Sequence, residues 1–118
     1  MKITKTECKT YEVRIFCGLR KSYSQIMHNM IIAKRICQKY CDSEGFGLTF
    51  TQTEYIYTSG GEPGFIVGII NYPRFPRSKK EIDAHAVKIG EILLKELDQE
   101  RLSIVFPKKT IMLENTGK

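Results

Sequence analysis

Few of the groups on which enzymes usually rely are present in this chain, and none stands in a familiar catalytic arrangement. Only two histidines occur, His28 and His85, and neither is followed by the x-Thr or x-Ser of paired-histidine phosphodiesterases. There is no His-Glu-x-x-His, no Gly-x-Ser-x-Gly and no Walker loop. Cys37 and Cys41 would need two further ligands to hold zinc, and no second pair has suitable spacing. No apolar run approaches the ~18 residues that span a bilayer. No secretory signal is seen, because Met1-Lys2-Ile3-Thr4-Lys5 runs straight into polar sequence. Cys8, Cys17, Cys37 and Cys41 are therefore expected to be reduced thiols in a cytosolic protein, some of them filling the core. Repeats, low-complexity tracts and blocks of five like charges are also missing, which excludes solenoids and charged tails. Taken together these absences predict a protein that is not an enzyme and holds neither metal nor cofactor.

What is present predicts one α+β domain. The 118 residues suit a single core, with residues 1–9 and 115–118 expected to be flexible. Tyr11, Val13, Ile15, Cys17 and Leu19 alternate with Glu12, Arg14, Phe16 and Gly18, the period of a strand buried on one face. Over 24–41 the period becomes helical, through Ile26, Met30, Ala33, Cys37 and Tyr40, with Ser24 or Ser22 as N-cap. Gly45 and Gly47 end that segment. Leu48 to Tyr57 reads as a half-buried strand, and Thr58 to Gly64 as a hairpin loop. Phe65 to Tyr72, apolar on both faces, reads as a central strand.

A second helix opens at the capping box Ser78-Lys79-Lys80-Glu81 and runs to about Leu97, burying Ile82, Ala86, Ile89, Leu93 and Leu97. Arg101–Phe106 and Thr110–Glu114 close the chain as two short strands. The expected architecture is a two-layer sandwich of order β-α-β-β-α-β-β. Its mainly antiparallel sheet has about five strands, with two helices on one face and strand order open. Both histidines fall off the buried stripes and read as exposed helix residues. Most acidic residues fall on solvent-facing helix surfaces.

A net charge of +6 favours an anionic partner. The most informative stretch is Asn71-Tyr72-Pro73-Arg74-Phe75-Pro76-Arg77, where a strand ends in a loop stiffened by two prolines. Phe75 offers a plane for stacking on a base, and Arg74 a fork for phosphate. The alternative is that Phe75 packs beneath the loop and the arginines are solvated. Arg20 follows the first strand and Arg101 opens the fourth, so a pocket shared by Arg20, Arg74 and Arg101 is a geometric expectation. Gly60 to Gly64 resembles a phosphate cradle, but no helix N-terminus follows it, and it reads as a turn.

In length, element order, Gly68-Ile69-Ile70-Asn71-Tyr72-Pro73-Arg74-Phe75-Pro76, and the closing Leu102-Ser103-Ile104-Val105-Phe106 with Ile111-Met112-Leu113, the chain resembles the first-described type of phage anti-Thoeris sponge proteins. The resemblance covers about Arg14 to Glu114. It implies a viral protein that acts in the bacterial cytoplasm during infection. Such a protein sequesters a cyclic ADP-ribose-type signal without cleaving it and so blocks TIR-based immunity. It further implies homo-oligomers, dimers assembling to a hexamer, with pockets between subunits, and in some members cyclic trinucleotides at separate sites. By position in the element order it implies ligand contacts from Arg20, Arg101 and Phe75, with Asn71 and Arg74 beside them. The competing readings are a small basic RNA- or DNA-binding module and an inhibitor that docks on a host enzyme.

Overall fold

A computed structural model describes residues 1–117; Lys118, at the tip of the tail expected to be flexible, lies outside the described residues. The element order is β1 (Glu12–Gly18), α1 (Met30–Glu44), β2 (Thr49–Tyr57), β3 (Gly60–Ile70), α2 (Lys79–Glu96), β4 (Arg101–Val105) and β5 (Thr110–Glu114). The α+β class, the seven-element order and the antiparallel sheet of five strands are as expected. The strand order left open by the sequence is β2-β3-β1-β4-β5. β1 is central, paired with β3 from Glu12↔Ile70 to Gly18↔Gly64, and with β4 from Arg14↔Val105 to Phe16↔Ser103.

The alternation in β1 sends Val13, Ile15 and Cys17 into the core, where they meet Phe65, Val67 and Ile69 of β3 and Leu102 and Ile104 of β4. α1 covers this layer with Ala33, Cys37 and Tyr40, and α2 with Ile82, Ala86, Ile89, Leu93 and Leu94. Cys17 and Cys37 are buried and fill space between the layers, and all four thiols are free. α2 begins where the sequence indicates: the Ser78 side chain accepts from Glu81 N, and the Glu81 carboxylate accepts from Ser78 N. No described helix is long and apolar enough to cross a membrane.

Three local expectations are corrected. α1 spans 30–44 rather than 24–41, and its N-cap is Asn29, whose side chain accepts from Ile31 N. The preceding residues fold back on β1 instead, with Lys21 N donating to Ile26 O and His28 N to Leu19 O. The Ser24 hydroxyl serves this loop, donating to Lys21 O and accepting from Ile26 N. Short polar side chains that bond locally compete with helix formation in this way. Ile26 is consequently exposed rather than part of a buried stripe.

The hairpin loop is also shorter than expected. Only Thr58-Ser59 turn, with Ser59 at φ 59°, and Gly60 to Gly64 belong to β3. Pro63 is tolerated because its carbonyl points toward the chain just past β1, where Leu19 N donates to it. Its ring nitrogen shares that edge, so the β2–β3 ladder loses no donor.

The histidines, finally, are not exposed helix residues. His28 precedes α1, is half-buried, and its Nε2 has no hydrogen-bond partner. His85 joins the helices: its Nδ1 lies 2.6 Å from the Tyr40 hydroxyl, and its ring stacks on Phe46 at 4.2 Å. Burial lowers its pKa, and the Arg77 guanidinium lowers it further. The folded state thus favours neutral His85. The stability this contributes is fully present above the unfolded pKa of about 6.5 and is lost as pH falls through the lowered folded value. We expect the urea midpoint to drop between pH 7.5 and 5, and to drop less in His85→Gln. An identical pH dependence in both proteins would place the sensitivity elsewhere.

Candidate functional site

With both helices on one face, the other face of the sheet is bare. It carries Arg14 and Phe16 of β1, Ile66 of β3, Thr51, Tyr55 and Tyr57 of β2, and Arg101 and Ser103 of β4. Gly18 and Gly64 stand opposite each other on this face. A Cβ on Gly64 would come within 2.5 Å of the Tyr55 ring and 2.8 Å of Cys17 O, and a Cβ on Gly18 within 2.7 Å of Glu62 Oε2. The missing side chains create a hollow into which Tyr55 and Glu62 fold. Glycine inside a strand commonly marks such a close approach.

This hollow opens into a groove. One part, of about 380 Å³, runs from Phe16 and Tyr55 past Glu62 and Gln99 to Arg101 and Ser103. A neighbouring part, of about 320 Å³, shares Glu62, Gln99 and Arg101 and adds Arg20, Ser22, Tyr23, Tyr57 and Glu100. Glu62 accepts from Arg20 N at 3.0 Å and lies 4.0 Å from Arg20 Nε. The Arg20 guanidinium is clamped by Ser24 O, Gln25 Oε1 and Gly61 O. It therefore ties the hairpin to the loop before α1. Gln99 is buried; its amide nitrogen donates to Arg20 O and Leu97 O. Its oxygen lies toward the space above Gly18.

Arg101 is half-exposed. It donates to the Tyr23 hydroxyl at 3.1 Å and lies 3.6 Å from Glu114, and these partners hold its guanidinium charged. Burial pushes the Tyr55 phenol up to about 12, and the nearby Cys17 and Glu62 push in the same direction. At neutral pH Tyr55 is therefore a neutral donor. The groove holds two carboxylates, Glu62 and Glu100, with three phenols and two guanidiniums, on walls that also include a phenyl ring.

The five residues expected to bind ligand do not converge within one chain. Arg20 and Arg101 line the groove. Asn71, Arg74 and Phe75 lie at the opposite end of the sheet, beyond Ile70. Asn71 lies nine positions beyond Glu62 along β3, about 30 Å at the ~3.4 Å rise of a strand. A pocket shared by Arg20, Arg74 and Arg101 is thus excluded in a single chain, because β1 and β3 run the full length between them. Asn71 braces the loop there: its Nδ2 donates to Lys9 O, and its Oδ1 accepts from Arg77 N. Glu62, Tyr55, Tyr57 and Gln99 were not singled out from the sequence. The signal was Gly18 and Gly64 inside strands, obscured because Gly60 to Gly64 read as a turn. No cluster of His, Cys, Asp and Glu among the described residues could hold a metal.

No family model and no curated protein matches the chain. Two solved structures do. A phage SAM lyase in complex with S-methyl-5′-thioadenosine superposes with a TM-score of 0.77 at 15% identity, covering 98% of this chain and 97% of that one. The phage SAM lyase in its apo state gives 0.70 at 16% identity, covering 90% of each chain. These likenesses establish the fold. The fold is shared with a phage SAM lyase and is not specific to the sponge family.

The expectation of a non-enzyme is corrected by the same finding, since proteins of this architecture include an enzyme.

If the two glycines form the floor of the groove, filling one should damage the sheet. Gly64→Ala is expected to lower stability by about 1–3 kcal/mol, the usual cost of overpacking, read as a lower urea midpoint with unchanged slope. Wild-type stability would mean that Tyr55 leaves the hollow at no cost.

Proposed function

We propose that this chain is a lyase acting on a sulfonium nucleoside of the S-adenosylmethionine class, and that the groove on the open sheet face is its active site. The observation that carries the reading is the placement of the Glu62 carboxylate over Gly18, beside the Tyr55 ring that covers Gly64, with Arg101 at the rim. That arrangement occurs in a fold shared with a phage SAM lyase. The sulfonium and the carboxylate of such a substrate each have a counterpart. A sulfonium suits a carboxylate flanked by aromatic faces, and the substrate carboxylate suits the Arg101 guanidinium. Tyr23 and Tyr57 offer rings for the base. The groove is within the size range of small-molecule sites.

The chemistry asks little of the protein. When the carbon–sulfur bond breaks, its electron pair passes to sulfur, the positive charge vanishes and methylthioadenosine leaves. The substrate's own carboxylate supplies the new bond by closing on the carbon that sulfur releases, which gives a cyclic ester with no net proton transfer. Opposite charges annihilate in this step. The transition state is therefore less charged than the ground state, and the bound substrate's displacement of water from the groove favours it. Glu62 and Arg101 orient the two ends, so that the carboxylate and the carbon meet at attack distance.

Incubating the protein with S-adenosylmethionine and following methylthioadenosine by mass spectrometry tests the reading. We expect turnover by the wild type, a loss of at least about 100-fold in kcat/KM for Glu62→Gln, and a rise of about tenfold or more in KM for Arg101→Ala. The latter corresponds to the ~1.5–3 kcal/mol of one charge-assisted contact. Failure of the wild type to release the thioether would overturn the assignment.

A second ligand has support from one observation: Arg20 and Arg101 line the same part of the groove as Tyr23 and Tyr57. Two guanidiniums and aromatic planes also suit the pyrophosphate and adenine of a cyclic ADP-ribose-type nucleotide. Competition by that nucleotide against S-adenosylmethionine turnover reads out whether it enters.

A further inference from the structure

An aromatic-lined cavity near the loop after β3, about 540 Å³, shares no residue with the groove. It opens between the end of α1 and the loop after β3. Phe46, Tyr72 and Phe75 line it, and Arg74 and Arg77 stand among them, with no carboxylate in its wall. Its two sides are built differently. On one, Arg77 Nη2 donates to Gly45 O at 3.1 Å, its guanidinium lies 5.0 Å from the centre of the Phe46 ring, and His85 stacks behind that ring. This wall is fixed from behind by the joint between the helices.

On the other side, Phe75 is 64% exposed although its loop is rigid. Pro73 and Pro76 bracket the loop, Phe75 N donates to Tyr72 O at 3.0 Å, and Arg77 N donates to Asn71 Oδ1 at 2.8 Å. The idea that Phe75 packs beneath the loop is therefore excluded. The Arg74 guanidinium rests 5.2 Å from the Phe75 ring centre and has no hydrogen bond or ion pair among the described residues. The Tyr72 hydroxyl likewise has no bonded partner there. A phenyl ring held in water and a guanidinium without an acid are unspent binding groups, placed on one wall by the same short loop.

We propose that this cavity is a second ligand site, for a planar aromatic ring bearing a phosphate, of the nucleoside monophosphate class. The ring stacks against Phe75 and Tyr72, and the phosphate takes the open fork of Arg74. Aromatic planes accept any base face, and a guanidinium matches two phosphate oxygens at once. A volume of this size admits one mononucleotide. The absence of acid in the wall, in a chain of net charge +6, removes the repulsion that an anion would meet elsewhere. The site lies at the other end of the sheet from Glu62, so its occupation does not depend on the lyase reading.

The test is calorimetric titration of the full chain with adenosine 5′-monophosphate, and in parallel with adenosine and with inorganic phosphate. We expect saturable binding of the nucleotide, at least about tenfold weaker binding of each half, and at least about tenfold loss for Phe75→Ala and for Arg74→Ala. Glu62→Gln should bind as the wild type does, and Arg74→Lys, which keeps charge but loses the fork, should fall between. Both substituted side chains are exposed, so thermal unfolding should be unchanged and would show whether a weak variant is simply misfolded. Absence of nucleotide binding overturns the proposal. So does binding that survives both loop substitutions, and loss on Glu62→Gln alone would move the nucleotide to the groove. Adenosine binding as tightly as the nucleotide would overturn the phosphate requirement.

Discussion

Both helices bury their stripes against the same face of the sheet, and this packing is the constraint from which the rest follows. β1, at the centre, contributes Val13, Ile15 and Cys17 to that interface with no exposure at all. Because strand side chains alternate, every residue between them is committed to the opposite face, which no element covers. The candidate site thus lies on the complement of the core. Its shape comes from what that face lacks, since Gly18 and Gly64 sit at paired positions and leave a depression that two neighbouring side chains fill.

Polar groups gather at this depression for reasons that are partly structural. Arg20 ties the hairpin to the loop before α1 and supplies the amide that holds Glu62. Gln99, one of few buried polar residues, fixes the turn after α2 to the same segment. These contacts preorganise the carboxylate that faces the groove.

The far end of the sheet follows another logic. Asn71 and two prolines hold the loop after β3 rigid, and the joint between α1 and α2 supplies a fixed aromatic wall opposite it. His85 connects this wall to the pH response of the fold, since its ring both stacks on Phe46 and bonds Tyr40. Two surfaces of different chemistry thereby occupy the two ends of one strand: β3 carries Glu62 near its start and leads into Arg74 and Phe75 at its finish.

Much of the architecture was legible because it rests on local periodicity. The alternation of β1, the stripe from Ile82 to Leu97, the Ser78–Glu81 capping box and the strand-rich order determine an antiparallel sheet with two helices on one side. Local competition misled where two signals overlapped. Ser22 and Ser24 resemble helix caps but bond within a loop, and the glycines of Gly60 to Gly64 resemble a turn but pair with β2. The site belonged to the tertiary structure. Arg20, Glu62, Gln99 and Arg101 are scattered along the chain, and only the order β2-β3-β1-β4-β5 makes them neighbours while sending Asn71, Arg74 and Phe75 to the other end. Periodicity tells a residue which face it occupies, but which end of which strand lies beside it is decided by pairing between distant segments.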